Sequence, residues 1–116
     1  MRYEGVEYNK QLVTDSYFKE VTRPHKIENS TEIYLALQRK RFFDKLGNEV
    51  HLLAEMEVPV LLVWGRQDKA IPLRCGQEMH RILKGSRLAI LDNAGHVPNF
   101  ERAEEFNQLA LDFLRS

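Results

Sequence analysis

Two side chains in this sequence are equipped for acid–base work and stand in loops that could hold them still. Asp68 closes the run Gly65-Arg66-Gln67-Asp68, and His96 closes Asp92-Asn93-Ala94-Gly95-His96. A carboxylate that accepts the Nδ1–H of an imidazole fixes its tautomer and stabilises the imidazolium formed when Nε2 takes a proton from a nucleophile. An isolated histidine does this much less well. Taken singly, Asp68 reads better as a turn former and His96 as a loop residue capping the helix that follows. The chemistry therefore depends on elements that bring the two loops together.

Those elements follow from the apolar pattern. Residues 58–64 are a continuous apolar run with β-branched members, which predicts a strand buried on both faces of a parallel sheet, with Pro59 tolerable only at its start. Pro72 suits the first turn of a helix running to residue 84 that buries Met79, Ile82 and Leu83, and Gly85 suits its end in the left-handed conformation. Residues 87–91 form a second apolar strand. Strand, helix and strand within ~30 residues fit a right-handed βαβ crossover, which makes the strands parallel neighbours. Both loops then open at the carboxyl edge of the sheet, where ligands meet open α/β folds. Residues 101–114 carry Phe106, Leu109, Ala110, Phe113 and Leu114 at amphipathic helical spacing, with Glu101, Glu104 and Glu105 in the first turn, where the helix dipole favours carboxylates.

The chain divides near Glu57 into a helical segment, 1–57, and an α/β segment, 58–116. Within 1–57 the spacing predicts a helix over about 9–19, a second from a cap at Asn29 or Ser30 through residue 43, and a third over about 48–54. The second would place Ile33, Leu37 and Lys40 or Arg41 on one face, and the third would present Val50, Leu53 and Ala54 to a core. The fold class is α/β, a β-α-β-α unit with two parallel strands preceded by helices.

At this point a family resemblance becomes specific. Residues 59–72 fit P-x-L-x-x-x-G-x-x-D-x-x-x-P, the penultimate core strand and acid loop of α/β-hydrolases, and Gly95-His96-Val97-Pro98-Asn99-Phe100-Glu101 is similar to their histidine loop and final helix start. The order, acid before histidine, also agrees. The resemblance implies a partial α/β-hydrolase in which Asp68 orients His96 as general base of a Ser/Asp/His triad that cleaves an ester, amide or C–C bond in a small-molecule substrate. In relatives the positions of Val97 and Phe100 help line the substrate pocket, with core filling the equal alternative here. Segment 1–57 resembles the end of the family's cap and the helix returning to the core.

The family's nucleophile elbow, G-x-S-x-G, surrounds none of Ser16, Ser30, Ser86 or Ser116. The early strands that carry oxyanion-hole donors are missing too, and losing one donor typically costs ~10² to 10³ in rate. The expectation is a truncated hydrolase, inactive alone. The rival is a non-catalytic remnant acting as an interaction or oligomerisation module. Either way, an open sheet edge and apolar face are a template for another chain, so a homodimer or higher oligomer contacting near strand residues 60–64 is expected.

Composition closes other routes. Seventeen Lys and Arg balance seventeen Asp and Glu, so the chain has no net field to draw nucleic acid or an anionic membrane. Its apolar runs fall far short of the ~20 residues a membrane span needs, and Met1-Arg2-Tyr3-Glu4 opens no signal-peptide pattern, so a cytoplasmic protein is expected. Cys75 has no cysteine to pair with; near a helix N-terminus it could be a substitute nucleophile, though a packed cysteine is the stronger reading. His25, His51 and His80 lack partners at ligand spacing, so neither metal nor other cofactor is expected.

Overall fold

The computed structural model describes residues 7–39 and 47–116. In chain order the elements are α1 (Asp15–Thr22), α2 (Ser30–Arg39), α3 (Gly47–Glu55), β1 (Leu61–Gly65), α4 (Leu73–Ile82), β2 (Arg87–Leu91), α5 (Pro98–Glu101) and α6 (Ala103–Arg115), with short 3-10 turns at Lys10–Leu12 and Arg23–Lys26. The two strands pair in parallel, Leu61 opposite Arg87 through Gly65 opposite Leu91. The chain thus has an α/β fold, with helices joined to a two-stranded parallel sheet.

β1 begins three residues later than the apolar run predicts. Its ladder opens where the Val60 carbonyl accepts from the Arg87 N–H at 2.8 Å. Residues 58 and 59 precede any partner on β2, and Pro59 has no N–H to offer. β2 starts where predicted because the chain turns sharply after α4. The Leu83 N–H reaches back to the Met79 carbonyl at 2.9 Å and the Ser86 N–H to the Leu83 carbonyl at 3.0 Å. Gly85 supplies the left-handed residue between them, φ 86°. Pro72 stands just outside α4, as its N-cap.

The N-terminal region differs more. Instead of one helix over 9–19, the Asn9 side chain accepts from the Gln11 N–H at 3.1 Å and holds a 3-10 turn, after which extended Thr14 caps α1 through the Tyr17 N–H at 3.2 Å. These local side-chain bonds compete with a continuous helix and win. The predicted extension of the second helix to residue 43, and the Lys40 or Arg41 part of its face, lie outside the described residues.

α4 and α6 both pack on β1 and β2. Among the described residues the buried apolar positions are few: Leu83, Leu91 and Ala94. Strand residues 61–64 are only half-buried, so the expectation of a strand covered on both faces is not met: one pair of strands cannot enclose itself. Of the predicted α4 core set, Leu83 is buried while Met79 and Ile82 remain half-exposed. The radius of gyration is 16.5 Å, against about 13 Å for a closed domain of this length. The chain therefore spreads its elements rather than enclosing a large core.

Candidate active site

The candidate site begins with a close approach of two loops. Beyond the end of the sheet the ladder continues for one step, the Arg66 N–H donating to the Leu91 carbonyl at 2.9 Å. The loops are then stitched by Gln67, whose N–H donates to the Ala94 carbonyl at 3.0 Å while its Oε1 accepts from the Ala94 N–H at 3.2 Å. An ion pair between Arg66 and Asp92 closes the exposed side. Asn93, in the left-handed region at φ 56°, turns the second loop back over the sheet edge.

This stitching brings Asp68 and His96 together. Oδ1 of Asp68 accepts from the N–H groups of Ala70 and Ile71, both at 2.9 Å, so the side chain caps its own turn. Oδ2 is thereby aimed at the imidazole and lies 2.9 Å from His96 Nδ1. The Asp68 side chain is 5% exposed and that of His96 37%. A carboxylate can only accept, so Nδ1 carries the proton and Nε2 is the basic nitrogen of the neutral ring. The arrangement can withdraw a proton at Nε2 and stabilise the charge that results. The turn-former reading of Asp68 and the acid–histidine reading are thus not rivals, since one oxygen serves each.

Val97 precedes α5, half-buried, its carbonyl accepting from the N–H groups of Phe100 and Glu101 at 2.9 Å each. The Phe100 ring stacks on Tyr17 of α1, centroids 4.8 Å apart and planes 13° from parallel, and is 41% exposed. Phe100 thus lies against the N-terminal helix and not in a closed core.

Glu101 is the residue that sequence reasoning placed wrongly. The predicted final helix divides at Arg102, φ −133°, and Glu101 ends α5 and does not open α6. Its carboxylate is buried, Oε1 accepting from the Gly95 N–H at 2.7 Å and Oε2 from the Asn9 N–H at 2.8 Å. It serves two backbone donors, not the dipole of α6. Pro98 was the available signal: a proline at the first position of a helix starts a turn of its own five residues ahead of α6.

The other candidates lie elsewhere. Cys75 is exposed, not packed. It lines an open apolar groove of about 780 Å³ with Val50, Trp64, Ile71, Met79 and Ile82, and neither Asp68 nor His96 borders that groove. Ser86 Oγ lies 2.7 Å from His80 Nδ1. Ser86 stands before β2 and His96 after it, at opposite ends of the strand, and the Ser86 hydroxyl is engaged with His80. Among the described residues no group of three His, Cys, Asp or Glu side chains is arranged to hold a metal ion, and no helix is long and apolar enough to cross a membrane.

Comparison with known proteins bears on the family and the fold. A family profile for the alpha/beta hydrolase fold matches residues 6–103. A 2-hydroxy-6-oxononadienedioate/2-hydroxy-6-oxononatrienedioate hydrolase of Pseudomonas putida is 32% identical over 97% of this chain and 38% of its own length. A pimeloyl-[acyl-carrier protein] methyl ester esterase of Neisseria meningitidis serogroup C is 48% identical over 55% of this chain and 25% of its own. Among solved structures, the meta-cleavage product hydrolase from Pseudomonas fluorescens IP01 superposes with a TM-score of 0.81 over 95% of this chain and 42% of that one, at 21% identity, a likeness of fold. The chain therefore spans less than half the length of each of these three proteins.

Proposed function

The chain belongs to the α/β-hydrolase fold family, and from that premise we propose that it supplies the acid and the histidine, Asp68 and His96, of a Ser/Asp/His-type hydrolytic site. Its nucleophile comes from polypeptide outside these 116 residues, because no serine here has the surroundings of an elbow. The observation that carries the reading is the 2.9 Å contact of His96 Nδ1 with an Asp68 carboxylate whose other oxygen is already held by two N–H groups. In the complete site Nε2 takes the proton of the attacking hydroxyl and returns it to the leaving group, while Asp68 stabilises the imidazolium between the two steps. The substrate is a small molecule with an ester, amide or C–C bond; relatives named as a methyl ester esterase and a 2-hydroxy-6-oxononadienedioate hydrolase support hydrolysis as the reaction class. Val97 and Phe100, on either side of Pro98, border its pocket in this reading.

The test is hydrolysis of p-nitrophenyl acetate, with labelling by a fluorophosphonate, for this chain and for His96→Ala. Neither protein should turn over substrate or take the label. Labelling that disappears with His96 would place a nucleophile inside the chain and overturn the proposal of an external one.

A second reading rests on the sheet. Among the described residues β1 has a partner on one edge only, and Val58 at its approach is 47% exposed. Unpaired N–H and C=O groups beside half-buried apolar side chains favour addition of a further strand, from a second copy of this chain or from the nucleophile-bearing part. Light scattering after size exclusion decides whether the chain alone self-associates, and a folded monomer at micromolar concentration excludes the second copy.

A further inference from the structure

Glu101 lies outside the acid–histidine pair and yet touches the loop that carries the histidine. It follows His96 by five residues, is 9% exposed, and spends both carboxylate oxygens on backbone donors. Oε1 takes the N–H of Gly95, the residue immediately before His96, at 2.7 Å. Oε2 takes the N–H of Asn9, ninety-two positions away, at 2.8 Å. A buried carboxylate is retained only where it is well satisfied, and two charge-assisted bonds to backbone N–H groups do that.

The preceding residue shows what this achieves. Ala94, fully buried, is tied to the acid loop by both its N–H and its carbonyl through Gln67. Gly95 has no side chain to pack, and its carbonyl lies against Gly65. Its N–H bond to Glu101 therefore fixes the Ala94–Gly95 peptide plane, one residue ahead of His96, and the carbonyl of that same peptide accepts from the Gln67 N–H. Gln67 holds the loop from the side of the acid and Glu101 from the side of α5, and the imidazole projects from between these two anchors. Asn9 in turn fastens the start of the N-terminal helical segment to the same carboxylate, with the Asn9 side chain holding the first turn beyond it.

We propose that Glu101 is a positioning residue: it sets the orientation of His96 through the Gly95 peptide and couples that orientation to the N-terminal segment through Asn9. The inference rests on the acid–histidine reading of Asp68 and His96, and its test separates the two. Substitution Glu101→Gln preserves size but leaves one acceptor oxygen for two donors, turning its amide against either Gly95 or Asn9.

The experiment uses the ¹⁵N-labelled chain of 116 residues and follows amide exchange together with the imidazole ¹⁵N and Nδ1–H resonances of His96. In the wild type the Gly95 and Asn9 amides should be protected and the hydrogen-bonded Nδ1–H visible. In Glu101→Gln at least one of the two amides should exchange at least about tenfold faster, and the Nδ1–H resonance should broaden or vanish, while β1 and β2 amides keep their rates. Unchanged exchange and an unchanged His96 resonance in the variant overturn the proposal. Protected Gly95 and Asn9 amides in a wild type without the Nδ1–H resonance overturn the pairing with Asp68 instead and support the Glu101 anchor. Should Glu101→Gln not fold, the wild type decides: Gly95 and Asn9 amides that exchange like those of exposed loops overturn the proposal.

Discussion

The carbonyl oxygen of Gly95 occupies the place where a side chain on Gly65 would begin, with the Ala94 carbonyl beside it. The acid loop and the histidine loop can close on each other only because Gly65 is bare. Gly65 is buried and its neighbours are backbone atoms, which cannot swing aside as a flexible side chain could. Gly65→Ala should cost about 3 kcal/mol or more in urea denaturation. Gly85→Ala, which has open space but a left-handed φ of 86°, should cost only about 1 kcal/mol. Equal losses at the two positions would mean that the loops do not approach as closely as described.

Asp68 divides its oxygens between its own turn and the imidazole, and two substitutions separate the roles. Asp68→Asn keeps an oxygen for Ala70 and Ile71 but presents an amide to His96 Nδ1. The histidine proton should move to Nε2, read from imidazole ¹⁵N shifts, at a stability cost under about 1 kcal/mol. Asp68→Ala removes both roles and should cost about 1–3 kcal/mol. In an assembled hydrolytic site, the wrong tautomer in Asp68→Asn should lower kcat by about 10⁴.

Tyr17 and Phe100 join the N-terminal helix to the turn after the histidine, their rings stacked at 4.8 Å. A double-mutant cycle of Tyr17→Ala and Phe100→Ala should give a coupling of about 0.5–1.5 kcal/mol. A coupling near zero would show that residues 15–22 are not docked on the α/β segment in solution.

The ion pair between Arg66 and Asp92 has both side chains more than half exposed, 51% and 65%. Arg66→Ala should therefore change stability by less than about 1 kcal/mol, and the effect should fade further on adding salt. The backbone bonds beneath it, from Arg66 and Gln67, hold the loops together without it.

Much of the site was legible in the sequence for local reasons. An uninterrupted apolar run bounded by glycine, a helix between Pro72 and Gly85, and a second apolar run force two parallel strands, and parallel neighbours must open their following loops at one edge. That places Asp68 beside His96 without reference to any other part of the chain. The limits of the strands were less legible, because β1 starts only where β2 has a residue to pair with.

What only the tertiary structure decided are bonds between positions whose types say nothing of each other. Glu101 in sequence is a good first-turn helix residue; its burial between Gly95 and Asn9 depends on the N-terminal segment returning to the histidine loop. Phe100 in sequence is core or pocket, and its ring rests on Tyr17. Cys75 in sequence is a packed thiol, yet it faces an open groove because the two-stranded sheet offers α4 too little surface to cover it. Periodicity and turn chemistry act over a few residues and are written locally, whereas a buried carboxylate finds its donors across the whole fold.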